Sequence, residues 1–354
     1  MSNPDGGPGP SGENGPRLPV IFGCAGPVLH EDERALFADA RPAGFILFAR
    51  NCQTPDQIRA LTGALRATAG WDAPLLIDQE GGRVARLRPP HWPARPAAGL
   101  FGRLARREPE RAHKAAWLNA RLIAADLNPL GITVDCLPVL DRPTAGAHPV
   151  IGDRAFDDDP ALIATLGRAV CDGLLAGGVL PMIKHIPGHG RASADSHQAL
   201  PVVDAPLEAL TACDFAPFAA LADMPLAMTA HVTYSALDAG APATTSAKVI
   251  AKAVRGAIGF DGALISDDIC MKALGGPVDA RARAALAAGC DVVLHCNGAA
   301  GEMAALARAL PPITPRARAR LVTALTRRQP PKPFDAAQAQ AFVDAALETI
   351  GSNE

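Results

Sequence analysis

From Pro19 onward the chain repeats one unit: a short apolar run, a turn rich in Gly, Pro or Asp, and a longer amphipathic stretch rich in Ala, Leu and Arg. The apolar runs are Val20–Cys24, Gly44–Phe48, Leu75–Asp78, Ile132–Leu137, Val179–Ile183, Leu226–Ala230, Ala263–Ser266 and Val292–Cys296. Helical patterning follows each, over Glu31–Ala40, Pro55–Thr68, Pro109–Asn128, Pro160–Ala176, Leu207–Leu221, Ser246–Ala257, Asp279–Ala288 and Gly301–Leu310. Strands that read as near-continuous apolar runs are covered on both faces, as in parallel sheets fed by crossover helices. Eight such units predict an α/β fold, a closed (β/α)8 TIM barrel. An open doubly wound sheet also alternates strand and helix, but no GxGxxG follows the first strand, so its nucleotide fingerprint is missing.

The repeat assigns residues 17–313 to the barrel. The remainder, 314–354, is helical in pattern over Ala319–Arg327 and Asp335–Leu347, broken by Gln329-Pro330-Pro331-Lys332-Pro333. It reads as a C-terminal helical appendage to a single domain. Residues 1–16 are rich in Gly, Pro and Asn, cannot bury apolar surface, and are expected to be a disordered tail. That tail has no basic and apolar segments of a signal peptide, and no apolar run reaches the length of a membrane span.

Charge and cysteine usage narrow the function classes. The 34 Lys and Arg against 36 Asp and Glu leave a net charge of -2, so there is no basic excess for a phosphate backbone. The eight cysteines form no CxxC pair and lie in apolar stretches, the usage of buried thiols in a reducing compartment. A cytoplasmic monomer acting on a small molecule, with no nucleic acid and no membrane, is the expectation.

Polar residues gather where the predicted strands end, the rim on which barrel enzymes build their sites. The third strand ends in Asp78-Gln79-Glu80-Gly81-Gly82-Arg83, with Arg86 just beyond; the fourth leads to Asp141. The fifth ends in Lys184-His185, followed by Pro187-Gly188-His189-Gly190 and Asp195-Ser196-His197. The sixth ends in His231 and the seventh in Ser266-Asp267-Asp268. Ionisable groups are costly to bury singly, so five strands delivering them to one rim point to a site. Plainer roles compete: Asp141 or Asp268 as a helix N-cap, Glu80 as an acceptor for backbone N–H groups under the Gly81-Gly82 turn, Arg154 in a surface ion pair. His113, His148 and His295 belong to no cluster and read as structural.

Such a rim suits glycoside hydrolysis, which needs a nucleophile on one side of the anomeric carbon and a proton donor on the other. Asp267 is the candidate nucleophile. Strict alternation places Ala263, Ile265 and Asp267 on one face and Asp268 on the other. The donor is sought where Asp195 and His197 lie two residues apart, because a carboxylate beside an imidazole can orient it and tune its proton. Lys184, Arg86 and Arg154 offer charged donors to sugar hydroxyls. A competing zinc hydrolase would gather His185, His189, Asp195 and His197, but there is no HExxH frame and Lys184 would repel the cation.

These motifs resemble glycoside hydrolase family 3 β-N-acetylhexosaminidases of the single-domain bacterial type. The resemblance rests on Ile77-Asp78-Gln79-Glu80-Gly81-Gly82-Arg83-Val84, Gly152-Asp153-Arg154-Ala155-Phe156 and Ser266-Asp267-Asp268-Ile269-Cys270-Met271. Its most specific part is Lys184-His185-Ile186-Pro187-Gly188-His189-Gly190 leading to Asp195-Ser196-His197. It implies a retaining exo-β-N-acetylglucosaminidase of peptidoglycan recycling, acting on muropeptides without cofactor or metal. It implies Asp267 as nucleophile, His197 as acid/base and Asp195 as its partner, with Asp78, Arg86, Arg154, Lys184 and His185 binding the sugar. Ile186 departs from an aromatic usual in the family, and Ile269-Cys270 from Leu-Ser. A β-glucosidase, an N-acetylglucosaminide phosphorylase, and a catalytically dead sugar-binding module are the alternatives.

Overall fold

The computed structural model describes residues 17–196 and 198–351; the predicted tail and His197 lie outside the described residues. Eight parallel strands close into a barrel: β1 Leu18–Gly23, β2 Pro42–Leu47, β3 Leu75–Ile77, β4 Val134–Asp135, β5 Leu180–Ile186, β6 Leu226–Thr229, β7 Ala263–Asp268 and β8 Val292–His295. Each strand pairs with the next in sequence, and β8 returns to β1 with Val20 opposite Val293. This is the α/β barrel that the eight apolar runs predict.

Alternation along each strand splits the apolar side chains between two cores. Ile21, Ile46, Leu76, Val134, Met182, Met228, Ile265 and Leu294 point inward and fill the barrel. Their neighbours Val20, Phe22, Phe45, Leu75, Ile183 and Val293 face outward against the helices. Burying one such aliphatic or aromatic side chain contributes about 1.5–3 kcal/mol, so both faces are committed and register slip is strongly disfavoured.

Helix starts follow local chemistry. Thr54 accepts from the N–H of Gln57 at 3.3 Å and Asp159 from that of Ala161 at 2.9 Å, each followed by a Pro in the first turn. The predicted helix over Leu207–Leu221 divides into Leu207–Ala209, a π-helical turn Leu210–Asp214, and Ala216–Ala220, where Pro217 cannot donate a backbone hydrogen bond.

The helix Pro315–Thr326 inserts Leu321 and Ala324 into the inner barrel cluster. Its Arg320 pairs with Asp261 and Asp291, which precede β7 and β8, so it caps the N-terminal end of the barrel. The helix Ala336–Gly351 packs against Ala98–Ala105 and Pro109–Leu127. Among the described residues no helix is long and apolar enough to cross a membrane.

Candidate active site

A pocket of about 350 Å³ opens at the C-terminal end of the barrel. Of the candidate residues described, Asp78, Arg86, Arg154, Lys184, His185, Asp195 and Asp267 all line it. The structure therefore brings together, from β3, β5, β7 and the loops after β3 to β5, side chains separated by up to most of the barrel sequence.

The pocket floor is a chain of alternating charges. Arg86 donates to Asp78 at 2.9 Å, Lys184 Nζ contacts Asp78 at 2.7 Å and Glu80 at 2.6 Å, and Arg154 grips both Glu80 oxygens at 2.8 and 2.9 Å. The side chains of Lys184 and Glu80 are 2 % and 4 % exposed, so these charges are compensated by one another rather than by water. Burial would raise the Asp78 and Glu80 carboxyls, but Lys184, with Arg86 for one and Arg154 for the other, holds both below the usual range. Burial would lower the Lys184 ammonium, yet the two carboxylates carry it above its usual value.

Local backbone makes this chain possible. Gly81 and Gly82 take φ of 93° and 55°, and a Cβ on Gly81 would stand 2.3 Å from the Pro96 carbonyl, so the turn after Glu80 needs glycine. Arg83 reaches from that turn to Asp153 at 2.9 Å and to the carbonyls of Pro149, Val150 and Ile151, fastening the loop that carries Arg154. The peptide bonds Lys184–His185 and Ile186–Pro187 are cis.

Beside the chain, His185 Nδ1 lies 2.6 Å from the fully buried Asp141, whose other oxygen accepts the backbone N–H of His185 at 3.2 Å and of His189 at 2.6 Å. Burial would raise the Asp141 carboxyl, but His185 and His189 bring it down to about 2. Burial pushes the His189 imidazole down to about 4, against the pull of Asp141. His189 Nε2 lies 3.1 Å from Ser196 Oγ, and Ala273 N donates to the Ser196 carbonyl at 3.2 Å, so the loop carrying Asp195 is tethered from two sides.

The strand tip bearing Asp267 is held just as closely. The Asp267 N–H donates to Thr229 Oγ1 at 3.3 Å, and the Asp268 N–H donates to Asp267 Oδ1 at 2.8 Å. His231, fully buried and held down as a base by that burial, donates through Nε2 to the Asp268 carbonyl at 2.9 Å.

Several of the plainer expectations fail. Glu80 binds two buried cations instead of the turn's N–H groups, and Arg154 is no surface pair, with 11 % of its side chain exposed. Asp141 caps no helix. Asp268 Oδ1 accepts from Cys270 N at 3.0 Å and Cys296 N at 3.1 Å, joining the ends of β7 and β8. Strict alternation also breaks: Val292 faces Ile265 but Leu294 faces Asp268, so β7 spends one extra residue there, and both Asp267 and Asp268 line the pocket. Of the zinc set, His185, His189 and Asp195 form no cluster of ligand atoms among the described residues, and His197 lies outside them. Phe48 and Met228 also line the pocket and escaped sequence reasoning; their only signal is a bulky apolar residue at the end of a strand.

A parallel eight-stranded barrel with carboxylates and cations converging on one rim pocket is the architecture of barrel glycoside hydrolases. Residues 20–324 match the glycosyl hydrolase family 3 N-terminal domain, and the chain belongs to that family. It is 41 % identical over 308 residues to a β-hexosaminidase of Alkalilimnicola ehrlichii, covering 86 % of this chain and 87 % of that one. A β-hexosaminidase of Aromatoleum aromaticum is 38 % identical over 323 residues, 90 % of each. The barrel superposes on NagZ from Neisseria gonorrhoeae, solved with N-trifluoroacetyl-D-glucosamine, with a TM-score of 0.83 and 33 % identity, covering 94 % of this chain and 98 % of that one. The activity these relationships establish is that of a glycoside hydrolase of the β-hexosaminidase type.

Proposed function

We propose that the protein is a retaining exo-β-N-acetylglucosaminidase that removes terminal N-acetylglucosamine from muropeptides released during cell-wall turnover. The observation that carries this reading is the placement of Asp267, on a bulged and hydrogen-bonded strand tip, in the same pocket as the Arg86–Asp78–Lys184–Glu80–Arg154 chain. In this reading Asp78, Arg86, Arg154, Lys184 and His185 hold the sugar by its hydroxyl and acetamido groups. The NagZ neighbour, solved with an N-acylglucosamine, supports that ligand class.

Asp267 attacks the anomeric carbon as the bond to the leaving oxygen breaks, and a proton passes to that oxygen from His197, oriented by Asp195. Water, deprotonated by the same imidazole, then attacks the glycosyl-enzyme, so configuration is retained. An imidazole acid/base avoids a second carboxylate, whose repulsion would raise the pKa of the nucleophile.

The test compares aryl β-N-acetylglucosaminide with aryl β-glucoside for wild type and Asp267→Ala. Turnover of the acetamido sugar alone, lost in the variant, is expected. Preference for the glucoside, or undiminished turnover in the variant, refutes the reading. A muropeptide assay then follows release of N-acetylglucosamine.

A further inference from the structure

Behind the pocket wall, three ligand-type side chains from three elements converge. Cys270 lies in the turn after β7, His295 ends β8, and Glu302 sits in the first turn of the helix Ala300–Ala309. Their donor atoms all lie within 4.8 Å of one another, with His295 Nε2 at 3.0 Å and Cys270 Sγ at 3.9 Å from Glu302 Oε2. Among the described residues no other such grouping of His, Cys, Asp and Glu occurs. Sulfur, imidazole and carboxylate bound tetrahedrally at zinc-type bond lengths stand about 3.3–3.7 Å apart. Two of the three separations are thus near that range already, and the third, sulfur to imidazole, is at most 4.8 Å.

The surroundings favour a cation. Glu302 and the adjacent Asp268 carboxylate bring two negative charges, against the one positive charge of Arg281, which acts on Glu302 while its Nη1 donates to the carbonyls of Ile269 and Met271 at 2.9 and 3.2 Å. Asn297 holds Glu302 Oε2 at 2.7 Å, and Phe22 braces the His295 ring edge-on at 5.8 Å, so two of the ligands are preset. The Glu302 side chain is 45 % exposed, which leaves a path for entry and room for a water as fourth ligand. One feature limits affinity. Loading Nε2 moves its proton to the buried Nδ1, which meets no acceptor among the described residues.

We propose that Cys270, His295 and Glu302 form a site for a thiophilic divalent cation, zinc or cadmium, whose occupation slows turnover. Binding releases the thiol proton to solvent and draws Cys270 towards β8. Cys270 N and Cys296 N share Asp268 Oδ1, and the Asp268 N–H holds Asp267 Oδ1. Closing the site therefore pulls on the turn that carries the carboxylate in the pocket. A tightly loaded structural centre is not what this geometry provides; it responds to metal in excess.

The full chain, reduced and freed of thiols, is titrated with cadmium while the thiolate-to-metal charge-transfer absorption is read. A single saturable equivalent is expected, abolished in Cys270→Ser and weakened at least tenfold in Glu302→Gln, whose half-exposed position tolerates the change. Asp195→Asn retains the band, which separates this site from metal captured on the rim loop. Turnover of an aryl substrate falls severalfold in step with the band and recovers with chelator. A band that persists in Cys270→Ser, ignores Glu302→Gln or never forms overturns the site. A band without loss of turnover overturns its control of the reaction.

Discussion

His185 and Asp141 form a buried pair, with the Nδ1 of one 2.6 Å from a carboxylate oxygen of the other and no solvent reaching the acid. Asp141 accepts three N–H groups at once and is ionised at any working pH, its carboxyl held at about 2. It therefore fixes the proton of His185 on Nδ1 and leaves the other ring nitrogen to the pocket. In Asp141→Asn the amide must turn its NH2 toward Nδ1, which then accepts, so the proton moves to Nε2. The pocket-facing nitrogen changes from acceptor to donor. With about 1–3 kcal/mol at stake for a mispaired buried group, kcat/KM should fall roughly tenfold to a hundredfold. Nitrogen NMR of the His185 ring should report the tautomer switch, which a purely structural defect would not produce.

Glu80 lies between two cations that no other carboxylate fully compensates. Lys184 also meets Asp78, but both guanidinium contacts of Arg154 with a carboxylate end on Glu80. Glu80→Gln leaves these charges buried and short of one partner, a change that costs about 3–5 kcal/mol where a buried pair is broken. Urea denaturation should show a midpoint lowered accordingly, with the slope unchanged. The surviving folded fraction should bind N-acetylglucosamine more weakly, because Arg154 loses its orientation. The exposed pair Arg59–Asp56 serves as control, and its removal should shift stability by less than about 1 kcal/mol.

The buried imidazole of His189 makes stability depend on pH in a defined window. Its pKa falls from 6.5 to about 4 on folding, so the native state refuses a proton that the unfolded chain accepts. A lowered pKa contributes stability that is complete above the unfolded value and is lost as pH drops toward the folded one. Thermal midpoints should thus decline between pH 6.5 and about 4. His189→Asn should flatten that limb while lowering the plateau above it. A variant whose midpoint falls as steeply as wild type would place the sensitivity elsewhere.

The parts of this molecule legible in the sequence are those fixed by local pattern. Each strand is an apolar run because it is covered on two faces, and the rim residues stand out because charge interrupts those runs. What depends on distant partners stayed hidden. Glu80 takes its meaning from Arg154, 74 residues away. The bulge that turns both Asp267 and Asp268 to the pocket comes from the pairing of β7 with β8, which alternation within β7 alone does not reveal. The helix Ala98–Ala105 is not marked by the sequence pattern because its two glycines lower its propensity. Gly102 is there for packing, since a Cβ would fall 1.6 Å from the Phe156 carbonyl. His295 reads as isolated in the sequence because Cys270 comes from the turn after β7 and Glu302 from the first turn of the following helix.

The Asp195 carboxylate lines the pocket two residues before His197, and the proposed division of labour makes its loss readable in two independent ways. If Asp195 orients the imidazole and holds its proton, Asp195→Asn weakens the acid step, and the deficit grows with the basicity of the leaving group. Aryl glycosides with activated phenols should lose little, while poor leaving groups lose on the order of a hundredfold, within the range general acid catalysis supplies. The carboxylate also raises the pKa of a neighbouring imidazole, so its removal should move the basic limb of the kcat/KM profile down by about one unit. A structural role for Asp195 predicts neither effect, because a disordered loop would depress all substrates alike and leave the limb in place. Equal losses across the leaving-group series would therefore assign proton donation to another residue.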